Sequence, residues 1–378
     1  MTPTAAATNA ANAANTAAAA VHTALVGLPR VVDLLAARAE EHDREGTFPY
    51  QGIEVAHEAG LLTLTVGPRH GGAGLGLLDT VQLLSRLARG DASVALLTAQ
   101  TLLLHAEQAR TAAWPAGLYR RLLTESRRGP ALVATVRAAA AVTAERDAEG
   151  WLLTGRLTGV PGAEALAWLA VLARTAGPEP HTGLFLIRGD SPGVEIDPNP
   201  ELLGLRATAA HDVLLDAVRV GPGAAVGLTP ADGPPGEAAR TTAAWRDLAL
   251  AAVQLGTALA ARDWLVRHLR QAGPVEGRGR LGLAELECSL IGAEELLYGV
   301  AARVDRADAT ALDRTGAARL LVDRTVATAV QQAVTLAGAA GLSRRHPLER
   351  HLRDALSARA YALPEELVLE RLARSVVD

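Results

Sequence analysis

The amino-acid sequence predicts an α+β multidomain chain: a disordered tail at 1–20, an N-terminal helical domain over 21–128, a central β-barrel over 129–228 and a C-terminal helical bundle over 229–378. Three observations lead there. Leu78, Val81, Leu84 and Leu87 recur at the spacing that lines one helix face, with Asp79, Gln82, Ser85, Arg86 and Arg89 on the other side. Between 129 and 228 short apolar runs (Trp151-Leu152-Leu153, Trp168 to Leu172, Leu184 to Ile187) alternate with Gly, Pro and Asp turns, the texture of strands. Beyond the Pro/Gly-rich linker Gly227 to Gly236, helical patterns resume over 239–271, 283–306 and 317–337, each long enough to cross a bundle.

The punctuation agrees with this division. Gly67-Pro68-Arg69-His70-Gly71-Gly72-Ala73-Gly74 reads as a tight loop between N-terminal helices, because glycine supplies positive-φ turns and proline an extended entry. Asp147-Ala148-Glu149-Gly150 and Asp190-Ser191-Pro192-Gly193 read as turns between strands. The first twenty residues are mostly Ala, Thr and Asn, without the basic start and apolar run of a signal peptide.

Composition narrows the partners. A formal charge of −4 offers no long-range field for nucleic acid or an anionic membrane surface, so neither is an expected partner. Every Lys/Arg position is arginine, which points to codon bias in a GC-rich genome rather than to chemistry. Cys288 is the single cysteine, so no intrachain disulfide or cysteine-based zinc cluster can form, and a reducing cytoplasm is the expected location. No run of about 18 apolar residues suggests a membrane span. No His or carboxylate pair has metal-ligand spacing, and no metal is expected.

Five stretches, in order, resemble the acyl-CoA dehydrogenase superfamily. They are His57-Glu58-Ala59-Gly60-Leu61 leading into Gly71–Gly76; Leu87 through Ala95 with Arg89-Gly90-Asp91; Gly150 through Gly155; Leu203-Gly204-Leu205-Arg206-Ala207-Thr208 followed by Asp216 to Val220; and Gly338 to Gly341 followed by Pro347 to Arg350 and Leu352-Arg353-Asp354. Together they cover 21–360. The resemblance implies FAD held between the β domain, the bundle and a neighbouring subunit of a homodimer or homotetramer. It further implies an acyl thioester of coenzyme A or a carrier protein, which loses an α-proton to a carboxylate and a β-hydride to the flavin.

The family's flavin-contact positions fall on Thr135, on Thr158 near Gly159-Val160-Pro161, and on the glycine turn Gly338, Ala339, Gly341. Pro161 can donate no backbone hydrogen bond there, and Gly338 also reads as the cap that ends a helix. By the same resemblance the catalytic Glu falls on Ala362, directly after Tyr361, and its alternative location near Arg246. Asp247 is one helical step, about 100°, from that place. Glu365, after Pro364, reads as a solvent-facing helix start. Tyr361 is the catalytic candidate, on a segment where flavin monooxygenases of this fold place polar groups. His105 reads as structural and His211 as a surface residue.

Three functions follow from this pattern: an FAD-dependent oxidoreductase acting on an acyl thioester without the usual Glu; a flavin-dependent monooxygenase of the same fold; and a flavin-free homologue serving as a binding subunit or cofactor-independent enzyme.

Overall fold

The fold is known from a computed structural model that describes residues 3–137, 141–199, 201–231, 236–357, 361 and 364–377. The N-terminal region is helical: α1 (Pro3–Ala36), α2 (Ala39–Glu45), α3 (Tyr50–Glu58), α4 (Leu77–Ala88), α5 (Ala92–Thr111) and α6 (Ala116–Glu125). Of the segment expected as a disordered tail, residues 3–20 lie within α1, in keeping with the highest helix propensity of any residue for its alanines. On α4 Val81, Leu84 and Leu87 are buried as the spacing requires. Ser85, expected on the solvent side, is buried as well, because a bundle helix crosses over it.

The strands are β1 (Leu132–Arg137), β2 (Val142–Arg146), β3 (Trp151–Val160), β4 (Leu166–Thr175), β5 (His181–Arg188), β6 (Val194–Asp197), β7 (His211–Val220) and β8 (Ala225–Pro230). They form one mixed sheet in the order β6-β7-β3-β2-β4-β5-β8, with β1 running parallel to β4 beside it. The expected barrel is therefore corrected to an open sheet. Among the described residues the outer strands of the path, β6 and β8, pair with β7 and β5 and not with each other. Local alternation, which marked the strands, carries no information on closure.

The C-terminal region holds α7 (Glu237–Ala272), α8 (Gly277–Asp305), α9 (Ala309–Ala337), α10 (Leu348–Ser357) and α11 (Glu365–Val377). α7 is the central one: it touches α4, α5, α8, α9 and α10, and Ala251 through Ala261 is continuously buried. It crosses α4 so closely that a Cβ at Gly256 would lie 2.2 Å from the Ser85 carbonyl oxygen and 2.7 Å from the Ala88 Cβ. Among the described residues no helix is long and apolar enough to cross a membrane, and no group of three or more His, Cys, Asp or Glu could hold a metal ion.

A charged latch joins the three regions. Asp354 on α10 accepts a hydrogen bond from the Leu205 backbone N–H at 2.6 Å. Arg353 pairs with Asp43 of α2 and Glu349 of its own helix, and the Arg206 guanidinium donates to the Asp43 carbonyl at 2.7 Å. Gly204 is required beneath it, since a Cβ there would meet the Arg353 carbonyl at 2.4 Å. Burial pushes the Asp354 carboxyl up to about 7, against the pull of the nearby Arg350.

Two outcomes follow from this packing. Gly256→Ala gains about 1 kcal/mol of helix propensity but forces a backbone contact that overpacking of this kind makes cost about 1–3 kcal/mol; chemical denaturation should show net destabilisation. At Asp354 the native state keeps a proton between about pH 4 and 7 that the unfolded chain releases, so this group's contribution to stability is lost as pH rises through that window. Asp354→Asn keeps an acceptor for Leu205, and its stability relative to wild type should increase from pH 5 to pH 8 in parallel denaturant titrations.

Candidate functional site

Where the N-terminal helices, the sheet and the bundle meet, a cleft of about 160 Å³ opens. One wall is α5, whose first turn is set by Asp91: its carboxylate accepts from Ser93 N–H at 2.7 Å and Val94 N–H at 3.2 Å. With the helix so anchored, Leu96, Gln100, Leu103 and Glu107 fall on one stripe facing the cleft. The floor is β1, whose alternation brings Thr135 and Arg137 to the same side, together with Pro161 at the exit of β3. Opposite stands α7 with Thr242, Arg246 and Leu250 at four-residue spacing, and Tyr361 closes one end.

The charges are unevenly matched. Arg137 stands at the exposed end of β1, and partial desolvation of its guanidinium lowers its pKa; Glu107 offsets this in part, and Arg246 adds to it by repulsion. Glu107 is also shared with Arg110, which lies 4.5 Å from the centroid of the Trp245 ring. Asp247, beside Arg246, points away from the cleft into a buried pair with Arg319 at 3.3 Å, and stays 3.5 Å from the Arg246 guanidinium. Glu107 is therefore the single carboxylate lining the cleft among the described residues.

Thr242 is the other anomaly. The helical threonines Thr80, Thr111, Thr124, Thr257, Thr328 and Thr335 all donate their hydroxyl to the carbonyl one turn back. Two buried helical threonine hydroxyls have no partner, Thr98 on α5 and Thr242, and of these Thr242 lines the cleft. Such a group costs about 1–3 kcal/mol of desolvation unless something binds it.

Of the residues expected from sequence, Thr135 and Tyr361 line the cleft and Arg246 projects into it. Tyr361 has its pKa raised by burial and is hydrogen-bonded to Thr208, whose hydroxyl donates to the Leu205 carbonyl at 2.7 Å. Its phenol thus ties the cleft to the latch. Thr158 is exposed on β3, just where the pairing with β7 shifts register between Leu157 and Val160. Gly338, Ala339 and Gly341 form a turn outside the cleft: Gly338 ends α9 at φ 61° and Gly341 packs against Val334. Ala362 lies outside the described residues, as do Ala138, Ala139 and Ala140. Glu365 begins α11 and pairs with Arg324.

His105 is buried and structural, its Nδ1 2.9 Å from the Tyr119 hydroxyl, with burial pushing its pKa down to about 4. His211, expected at the surface, is instead buried at the start of β7, where its Nδ1 accepts the Asn199 N–H at 3.0 Å. A polar residue in a loop-like stretch gave no sign of that bond. Sequence reasoning also missed Gln100, Glu107, Arg137 and Thr242. The signal was present for α5, where a Gln and a Glu share a stripe with two leucines.

A larger cavity of about 760 Å³ lies between α1, α4, α7 and α10. Its Arg89 is already paired with Asp263, and none of the expected site residues lines it. The 160 Å³ cleft is smaller than the roughly 300 Å³ at which ligand sites usually begin, so a ligand of flavin size would fill it and continue through its mouth. An apolar wall and the Thr135 hydroxyl suit a heteroaromatic ring with a polar edge.

Comparison with known proteins identifies the family. The profile described as "Acyl-CoA dehydrogenase, N-terminal domain" matches residues 31–112, and "Acyl-CoA dehydrogenase, C-terminal domain" matches residues 237–377. The chain belongs to the acyl-CoA dehydrogenase superfamily. Among its relatives, YdbM of Bacillus subtilis (strain 168), assigned by name to the acyl-CoA dehydrogenases, is 29% identical over 372 residues, covering 92% of this chain and 95% of YdbM. L-evernosamine nitrososynthase of a Micromonospora species is 29% identical over 362 residues, covering 86% and 84%. The solved structure of KijD3 in complex with FMN and dTDP-3-amino-2,3,6-trideoxy-4-keto-3-methyl-D-glucose superposes with a TM-score of 0.85 at 26% identity, covering 95% of this chain and 94% of that one.

Replacing the unpartnered hydroxyl with an isosteric methyl removes a desolvation cost. Thr242→Val should therefore raise the stability of the ligand-free protein by about 1 kcal/mol, visible as a higher Tm, whereas Thr257→Val on the same helix should lower it.

Proposed function

We propose that this protein is a flavin-dependent monooxygenase built on the acyl-CoA dehydrogenase fold, rather than an α,β-dehydrogenase of acyl thioesters. The observation that carries this reading is Arg246. It is a permanent cation in the cleft, at the place where the resemblance puts the alternative catalytic carboxylate. A guanidinium cannot take a proton from an α-carbon, and Glu107, the carboxylate that is present, lies in the field of Arg137 and Arg110. The nitrososynthase name of one relative and the FMN bound in KijD3 support the same direction.

Reduced flavin, when bound, supplies two electrons and activates dioxygen. The chain's own residues then have three tasks. Thr135 and Pro161 wall the ring's place at the exit of the sheet, Leu96, Leu103 and Leu250 keep it dry, and Arg246 faces the substrate side. Tyr361, a neutral phenol whose pKa burial raises further, is hydrogen-bonded to Thr208 and stands at one end of the cleft.

Anaerobic mixing separates this from the dehydrogenase reading. Protein loaded with FMN or FAD and mixed with acyl-CoA thioesters should keep its flavin absorbance near about 450 nm, and reduced flavin with oxygen should be required for turnover. Bleaching without an added reductant, lost in Glu107→Gln, would establish Glu107 as a base and overturn the proposal.

A further inference from the structure

Two guanidiniums line one small cleft, Arg137 from the exposed end of β1 and Arg246, half-buried, from α7, and the repulsion between like charges brought together this way is relieved by an anionic ligand. Arg137 comes from β1 and Arg246 from α7, so the arrangement spans two independently placed elements rather than one surface. The charges facing them are few. Glu107 is shared between Arg137 and Arg110, and Asp247 between Arg246 and the buried Arg319. The unpartnered Thr242 hydroxyl sits one helical turn from Arg246 on the same face. The remaining lining on α5 and α7 is chiefly apolar: Leu96, Ala99, Leu103 and Leu250.

From this arrangement we infer that the cleft binds an oxyanion of its substrate between Arg137 and Arg246, with the Thr242 hydroxyl donating to it, and that the rest of the substrate is a compact apolar body. The inference rests on reading this cleft as the substrate site of the proposed monooxygenase. Carboxylate and phosphate monoester share the chemistry that two guanidiniums and a hydroxyl recognise. An oxyanion here would complete the hydrogen bonding of Thr242 and remove the repulsion between the arginines. It would also explain why the cleft carries Arg246 rather than a neutral residue.

The test needs no turnover. The full chain, without flavin, is titrated with benzoate, phenyl phosphate and the neutral benzamide by calorimetry, and FMN binding is measured separately. Benzoate or phenyl phosphate should bind at least tenfold more tightly than benzamide, and the tighter of the two identifies the oxyanion. Arg246→Gln should weaken that ligand at least tenfold while leaving benzamide unchanged, Arg246→Lys should restore part of the loss, and Thr242→Val should weaken it several-fold despite a higher Tm. Equal binding of all three compounds, no binding of any, or an Arg246→Gln protein that binds the anion as wild type does would overturn the inference. If the anions fail to bind while FMN binds, the oxyanion subsite falls and the monooxygenase reading stands. If the anions bind and FMN does not, the flavin reading falls and the subsite stands.

Discussion

The close crossing of α7 over α4 sets the position of everything in the cleft. Gly256 lets the two helices approach until no side chain fits between it and the Ser85 carbonyl, and the buried run Ala251 to Ala261 extends along α7 on either side. A helix buried on all sides has no freedom to rotate about its axis without exposing apolar surface. The phase of α7 is thus fixed in its middle, and Thr242, Arg246 and Leu250 inherit their direction from it. The capped start of α5 does the same for the opposite wall. The cleft is rigid because its two walls are anchored at points that are not part of it.

On that scaffold the chain spends stability on two features that packing alone would remove. A buried hydroxyl is left without a partner, and two guanidiniums share a space with one carboxylate. Either could be replaced by apolar residues with a gain in stability. Strain of this kind belongs to ligand sites, and its location beside Thr135 and Tyr361 coincides with the place the superfamily resemblance assigns to cofactor and substrate. The geometry and the relatives agree on the fold.

The fold was more legible in the sequence than the site, for a physical reason. The stretches that carry the family resemblance are those that hold the chain together. Asp91 caps α5, Gly204 admits the α10 backbone, and Arg353 and Asp354 form the latch to α2 and Leu205. Long helices announced themselves by periodicity, and α7, α8 and α9 begin within about eight residues of the expected starts. Sheet closure was not legible, because it depends on whether β6 and β8 meet, which neither strand encodes locally. In the cleft, Thr135 was found through its motif, whereas Gln100 and Glu107 were not. Helical spacing shows that residues share a face without showing what that face meets. Thr158 was misplaced by a register shift, and a buried His211 was hidden by a backbone partner twelve residues away.

The monooxygenase proposal requires that Glu107, the carboxylate of the cleft among the described residues, remove no α-proton from an acyl thioester. The most direct test is solvent exchange: flavin-loaded protein is incubated anaerobically with an acyl-CoA in deuterium oxide, and α-carbon deuterium is read by mass spectrometry. The account predicts incorporation no faster than in a protein-free control. Protein-dependent deuterium uptake at the α-carbon would contradict it.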